Sequence, residues 1–180
     1  PAVGRHNVMN AAFAFAVGIA AGVGEFEIRR GLMSFRNTGL RQNIYESHGK
    51  TIIADCYNAA PESVKASLKV LSDIAERKGA RKIAVLGDMK ELGAYSAQAH
   101  VEVGTEVAAN KIDVLFTFGM LAADIAAAAS KYGVKNIFVF EEGEYREIAE
   151  AIKENTADGD VILFKGSRVM ALEKVIELLD

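Results

Sequence analysis

The sequence predicts a doubly wound α/β fold with a mostly parallel sheet, preceded by two helices that need another body to pack on. Three observations carry that prediction. From Gly39 onward, short runs rich in β-branched and aromatic residues alternate with longer segments of helical period. The later short runs are apolar along their length, as strands covered on both faces require. Gly79, Gly119, Gly133 and Gly159 punctuate the successive units.

Residues 1–38 read as helical. Gly4-Arg5-His6-Asn7 is a start signal with Asn7 as cap, and Asn7 to Ala21 forms the first helix. Gly22 and Gly24 end it. Glu25 to Phe35 follows, with Phe26, Ile28, Leu32 and Phe35 at helical spacing. Two helices and a loop cannot bury their apolar faces alone, so they need another body to pack on. The apolar run Ala11 to Val23 is short for a membrane span and carries no cleavage-site pattern, which leaves a buried helix.

From Gly39 the rhythm changes. Gln42 to Ser47 and Thr51 to Cys56 flank His48-Gly49-Lys50, the pattern of a β-hairpin. A helix runs from Glu62 to Lys78, with Pro61 suited to its first turn. Strands are expected at Lys82 to Leu86, Val114 to Phe118, Asn136 to Phe140 and Val161 to Lys165. Helices are expected at Ser96 to Asn110, Leu121 to Tyr132, Glu144 to Asn155 and Val169 to Leu179.

Composition excludes several classes. In 180 residues, 51% are hydrophobic and 25% charged, enough for a core in a water-soluble fold. A net charge of −3 gives no electrostatic case for nucleic acid or an anionic membrane. One cysteine, Cys56, precludes an internal disulfide and fits a reducing compartment. No phosphate-cradling G-x-x-x-x-G-K-[ST] occurs, and no G-x-G-x-x-G follows the first strand. His6, His48 and His100 lie in three different contexts, and neither H-E-x-x-H nor C-x-x-C is present.

In a doubly wound sheet, ligands bind beyond the carboxyl ends of the strands. Three such ends are dense in polar groups. Asp55-Cys56-Tyr57-Asn58 closes the second strand beside the helix opening at Pro61. Asp88 and Glu91, within Gly87 to Gly93, either orient a cation or an amine, or are solvated loop charges beside a helix cap. Lys165-Gly166-Ser167-Arg168 is either an anion site or a helix start with Ser167 as cap and two solvated cations. Cys56 reads as a small core residue.

The ordered set Gly4-Arg5-His6-Asn7-Val8-Met9-Asn10, Gly39-Leu40-Arg41, Asp55-Cys56-Tyr57-Asn58-Ala59-Ala60-Pro61-Glu62-Ser63, Val85-Leu86-Gly87-Asp88-Met89-Lys90-Glu91-Leu92-Gly93 and Lys165-Gly166-Ser167-Arg168-Val169-Met170 resembles the ATP-dependent Mur ligases. Within them it is most similar to the members that join D-alanyl-D-alanine to UDP-N-acetylmuramoyl-tripeptide. The resemblance runs over essentially the whole chain. It implies that residues 1–38 are the helical tail of a central ATP-binding domain and that residues 39–180 are a Rossmann-like C-terminal domain.

It further implies a cytoplasmic enzyme of peptidoglycan synthesis that uses ATP and Mg²⁺, with the phosphate cradle and the metal ligands upstream of Pro1, so that this stretch holds no complete metal site and is inactive alone. No nucleic acid and no membrane insertion are expected. By the resemblance, His6, Asn7 and Asn10 sit at the adenine, Arg41 reaches the phosphates and Asp55 accepts ribose hydroxyls. Tyr57 and Asn58 line the junction with the incoming dipeptide, Lys165, Ser167 and Arg168 face that substrate, and Arg41 and Asn58 serve catalysis. Two positions depart from the family pattern: Ala60 stands where Asn is usual, and Asn43 where an acidic residue is common. Two other readings stand beside this one. The first is a non-catalytic doubly wound module that binds a small anion or a protein. The second is a folylpolyglutamate synthase-like ligase domain, against which the Gly87 to Gly93 segment argues.

Overall fold

The computed structural model describes residues 3–37 and 39–179, apart from the side chains of Arg5 and His6. The chain divides into two compact units, Pro1–Thr38 and Gly39–Asp180.

The first unit is a helical pair, α1 (Arg5–Ala20) and α2 (Glu25–Ser34). α1 begins two residues earlier than the sequence suggests, with Gly4 at its N-cap and no side-chain cap. Asn7 lies inside the first turn, where its Nδ2 donates to the Val3 carbonyl at 2.8 Å. At the other end, Val23 N donates to Gly18 O and Gly22 N to Ile19 O, the paired bonds that close a helix C-terminus. Ile28 is buried against Gly18, where a Cβ would fall 2.8 Å from Ile28 Cδ1. Val8, Phe13, Val17, Phe26 and Met33 stay exposed. A pair of helices has too little interior to cover apolar side chains that point in every direction.

The second unit is built on one six-stranded sheet. Its strands are β1 (Asn43–Ser47), β2 (Lys50–Ala54), β3 (Lys82–Gly87), β4 (Val114–Phe118), β5 (Asn136–Phe140) and β6 (Val161–Lys165). The order across the sheet is β1-β2-β6-β3-β4-β5. Only β1 and β2 are antiparallel, and the rest of the sheet is parallel. His48 and Gly49 join β1 to β2 with φ of 45° and 74°. Positive φ at both loop residues gives the turn whose twist suits a two-residue hairpin.

Helices α3 (Pro61–Lys78), α4 (Ser96–Ala109) and α5 (Ala122–Lys131) make the crossovers from β2 to β3, β3 to β4 and β4 to β5. These crossovers all run the same way along the sheet. α6 (Tyr145–Asn155) runs back from β5 to insert β6 between β2 and β3. Right-handed crossovers therefore place α3 to α5 on one face and α6 on the other. On the α6 face, Ile52, Ile83, Val85, Phe116, Ile162 and Phe164 form one core with Ile148, Ile152 and Val175. The alternate residues Ile53, Ala84, Leu115 and Leu163 point to the α3–α5 face and are also buried. α4 and α5 pack almost backbone to backbone, because a Cβ on Gly104 would lie 2.4 Å from Ile125 O.

The C-terminal segment differs from the single helix expected over Val169 to Leu179. A 3-10 turn covers Arg168–Met170, Ala171 adopts φ 46°, and α7 is only Glu173–Glu177. Met170 and Leu172 are both buried. Residues two apart face opposite sides of a continuous helix, so burying both breaks it. Ser167 caps no helix with its side chain, and its hydroxyl accepts instead from Lys90 N at 2.8 Å.

Candidate functional site

Asp55 lies one residue beyond β2, and its backbone extends the ladder by donating to Phe164 O at 2.9 Å. Its carboxylate gathers three donors from three separate elements. Gln42 N, in the turn before β1, reaches Oδ1 at 3.1 Å. Ser67 Oγ on α3 and Lys165 Nζ at the end of β6 both reach Oδ2 at 2.7 Å. The Lys165 side chain is 3% exposed and that of Asp55 16%. Lys165 also donates to the Asn58 carbonyl at 3.0 Å. A buried ammonium is tolerable because it is paired and hydrogen-bonded.

Beside this pair, the guanidinium carbon of Arg41 sits 3.9 Å from the centre of the Tyr57 ring. Tyr57 is 48% exposed, and its backbone N–H donates to Leu40 O at 3.2 Å. Asn58 is exposed, and its side-chain oxygen accepts from Ala59 N at 2.8 Å. Ala60 N donates to Ser63 Oγ at 3.0 Å. Cys56 is buried and donates to Phe164 O at 3.4 Å. Burial pushes its thiol up to about 12, so it stays protonated and unreactive.

The loop after β3 serves a different purpose. Asp88 is wholly buried. Its Oδ1 accepts from Ala122 N at 2.7 Å, placing a carboxylate on the N-terminus of α5, and its Oδ2 pairs with Lys90 Nζ at 2.8 Å. Gly119 has φ 113°, and a Cβ there would fall 2.5 Å from Asp88 Oδ1. Met89 N donates to His100 Nε2 at 3.0 Å, and His100 Nδ1 meets Ser96 O at 2.7 Å. A backbone N–H can only donate, so Nε2 accepts and Nδ1 carries the proton. Of the two readings open for this loop, Asp88 takes the part of a buried helix cap, and Glu91 is exposed with φ 65°.

β6 is flanked by β2 and β3, and both of those strands lead to helices on the opposite face from α7. The winding therefore reverses on both sides of β6, and ligands favour such reversals. One of the two crevices is closed. A Cβ on Gly166 would lie 3.2 Å from Gly87 Cα, and Ser167 N donates to Asp88 O at 3.0 Å. The other, between β2 and β6, is bridged by Lys165 to Asp55 and the Asn58 carbonyl, and at its rim Tyr57, Asn58 and Arg168 are exposed. Within Lys165-Gly166-Ser167-Arg168 only Arg168 is exposed, and it pairs with Glu173.

The structure thus brings Arg41, Asp55, Tyr57, Asn58 and Lys165 together and turns Ser167 toward Lys90. Asn7 and Asn10 lie in the first unit, on a groove also lined by Val8, Leu32, Met33 and Phe35. The His6 side chain lies outside the described residues. Sequence reasoning missed Ser67, His100 and the backbone N–H of Gln42. Ser67 did leave a trace, as a hydroxyl inside the buried stripe Val64, Ser67, Leu68, Leu71. Among the described residues no group of three or more His, Cys, Asp or Glu converges as a metal site. No described helix is long and apolar enough to cross a membrane.

A family model described as Mur ligase, glutamate ligase domain, matches residues 41–168. The chain belongs to the Mur ligase family. The UDP-N-acetylmuramoyl-tripeptide–D-alanyl-D-alanine ligase of Bacillus subtilis is 41% identical over 178 residues, covering 98% of this chain and 38% of the relative. The Escherichia coli enzyme of the same name is 34% identical over 180 residues, with 99% and 38% covered. Among solved structures, a MurF from Acinetobacter baumannii superposes with a TM-score of 0.84 at 30% identity, over 99% of this chain and 38% of that one. The MurF ligase from Thermotoga maritima, solved in complex with ADP, superposes at 0.79 and 30% identity, over 98% and 38%. This Mur ligase chain therefore spans 38% of the length of these relatives.

Proposed function

We propose that this chain is the C-terminal part of an ATP-dependent ligase that adds D-alanyl-D-alanine to UDP-N-acetylmuramoyl-tripeptide in peptidoglycan precursor synthesis. The observation that carries the reading is the polar edge at the ends of β2 and β6, where Asp55 is held by Lys165 and bonds the turn that carries Arg41 over Tyr57. That edge lies in a chain 41% identical over 98% of its length to a relative bearing that name. Residues 1–38 then belong to the central ATP-binding domain, residues 39–180 form the C-terminal domain, and the enzyme works in the cytoplasm.

In the reaction, the terminal carboxylate of the tripeptide attacks the γ-phosphorus of ATP, giving an acyl phosphate and ADP. The dipeptide amine attacks the acyl carbon and loses a proton, and phosphate leaves as the amide forms. Charge develops on phosphoryl oxygens and then on the acyl oxygen, so fixed cations and donors lower both barriers.

This chain's residues fit parts of that work. Among the described residues, Asp55 Oδ2 is filled by Ser67 and Lys165, while Oδ1 takes one donor and keeps a lone pair for a ribose hydroxyl. Arg41, stacked on Tyr57, offers the edge of its guanidinium to phosphate oxygens. Asn58 and Arg168 face the place where the dipeptide enters. Lys165 acts indirectly by holding Asp55. Asn7 and Asn10 can donate and accept at an adenine edge. Mg²⁺ would screen the phosphates, and its ligands are assigned to the part of the relatives that this chain does not span.

The test is a mass-spectrometric ligation assay with ATP, UDP-N-acetylmuramoyl-tripeptide and D-alanyl-D-alanine. The full-length ligase should give the pentapeptide product, and residues 1–180 alone should give none. Ligation by the isolated chain would overturn the reading.

A further inference from the structure

The turn that opens the second unit, Gly39 to Gln42, is held by the loop at the end of β2. Gln42 N donates to Asp55 Oδ1 at 3.1 Å, and Tyr57 N donates to Leu40 O at 3.2 Å. Between those two bonds Arg41 lies over the Tyr57 ring at 3.9 Å. Gln42 itself is buried with φ 44°, a conformation that a non-glycine residue keeps only where its surroundings hold it.

The carboxylate doing the holding is itself aimed. Ser67 and Lys165, 2.7 Å away on the same oxygen, fix which oxygen of Asp55 faces the turn. Oδ1 is therefore both the anchor of the turn and the oxygen with acceptor capacity left. A donor arriving at that atom excludes water from it, and a hydrogen bond shielded from water strengthens.

We infer that Asp55 is a latch, in which the oxygen open to a ligand hydroxyl also fixes the turn that presents Arg41, with Ser67 and Lys165 as positioning residues. The inference rests on the reading that this edge takes the nucleotide ribose. Ser67 lies on α3, and its link to Arg41 runs through Asp55 and the turn. Part of its effect on the reaction should therefore depend on Arg41 being present.

Two readouts on the full-length ligase test it. In the first, hydrogen exchange at the Gln42 amide is followed without and with ADP. Exchange should slow with ADP in the parent enzyme. Ser67→Ala should speed it roughly tenfold without nucleotide, the scale of one weakened hydrogen bond. The second is a double-mutant cycle of Ser67→Ala and Arg41→Ala on kcat/KM for ATP. Ser67→Ala should lower kcat/KM in the parent and lower it by a smaller factor once Arg41 is gone, because the direct contact of Asp55 with the ribose is affected in both. Multiplying effects in the cycle, or Gln42 exchange unmoved by Ser67→Ala, would overturn the latch. Unchanged ATP kinetics in Arg41→Ala would remove the nucleotide reading and the coupling with it. The exchange measured without nucleotide reports separately on whether Ser67 aims Asp55.

Discussion

Lys165 Nζ lies 2.7 Å from Asp55 Oδ2, joining the ends of β6 and β2, which are parallel neighbours in the sheet. The pair is asymmetric, with the lysine side chain 3% exposed and the carboxylate 16%. Removing the carboxylate strands a buried ammonium, whereas removing the ammonium leaves a carboxylate that water can reach. Asp55→Ala should therefore cost about 3–5 kcal/mol of stability, and Lys165→Met less than half as much, in urea titrations of the full-length protein. Equal costs would mean that the asymmetry in burial has no energetic weight.

Gly104 sets the spacing of α4 and α5. A side chain there meets the Ile125 carbonyl and the Ala128 Cβ, which would be 2.6 Å away, and neither can rotate aside. Gly104→Val should cost about 1–3 kcal/mol or more and lower the melting temperature. A neutral substitution would show that the helices separate freely.

His100 supplies the acceptor for a buried backbone N–H. His100→Leu leaves Met89 N without its partner, at a cost of about 1–3 kcal/mol. Amide exchange at Met89 should accelerate more than that at Ile83 in the strand core. Equal acceleration at both would point to global loosening.

Cys56 is held as a thiol by burial, with its pKa raised from 9.0 to about 12. A group whose folded pKa is raised stabilises the fold fully below its unfolded value and loses that contribution as pH climbs through the folded one. The Cys56 contribution should thus be intact at pH 8 and fall between pH 9 and about 12. Iodoacetamide at pH 8 should leave the folded protein unlabelled and label it in denaturant. Rapid labelling of the folded protein would contradict the burial.

The sheet was legible because its central strands are buried on both faces and so are apolar without alternation. The hairpin was legible because Gly49 marks its turn. The last helix was misread because Met170 and Leu172 each suit a helix, and the demand to bury both appears only once β6 and α6 flank them. The polar edge was legible as a place and less so as a set of contacts. Lys165 reads like any strand-end cation, and its partner lies 110 positions away. Asp88 and Ser167 carry the polarity of a binding loop, yet their bonds tie β3, α5 and β6 to one another. Gln42 could not be found from residue type at all, since the group that meets Asp55 is its backbone N–H.

The most direct test of the proposed nucleotide edge is the KM for ATP of the full-length ligase carrying Arg41→Ala, at saturating tripeptide nucleotide and D-alanyl-D-alanine. Loss of a charged contact to phosphate should raise that KM by roughly tenfold or more. A KM for ATP equal to that of the parent enzyme would contradict the assignment of this edge to the nucleotide.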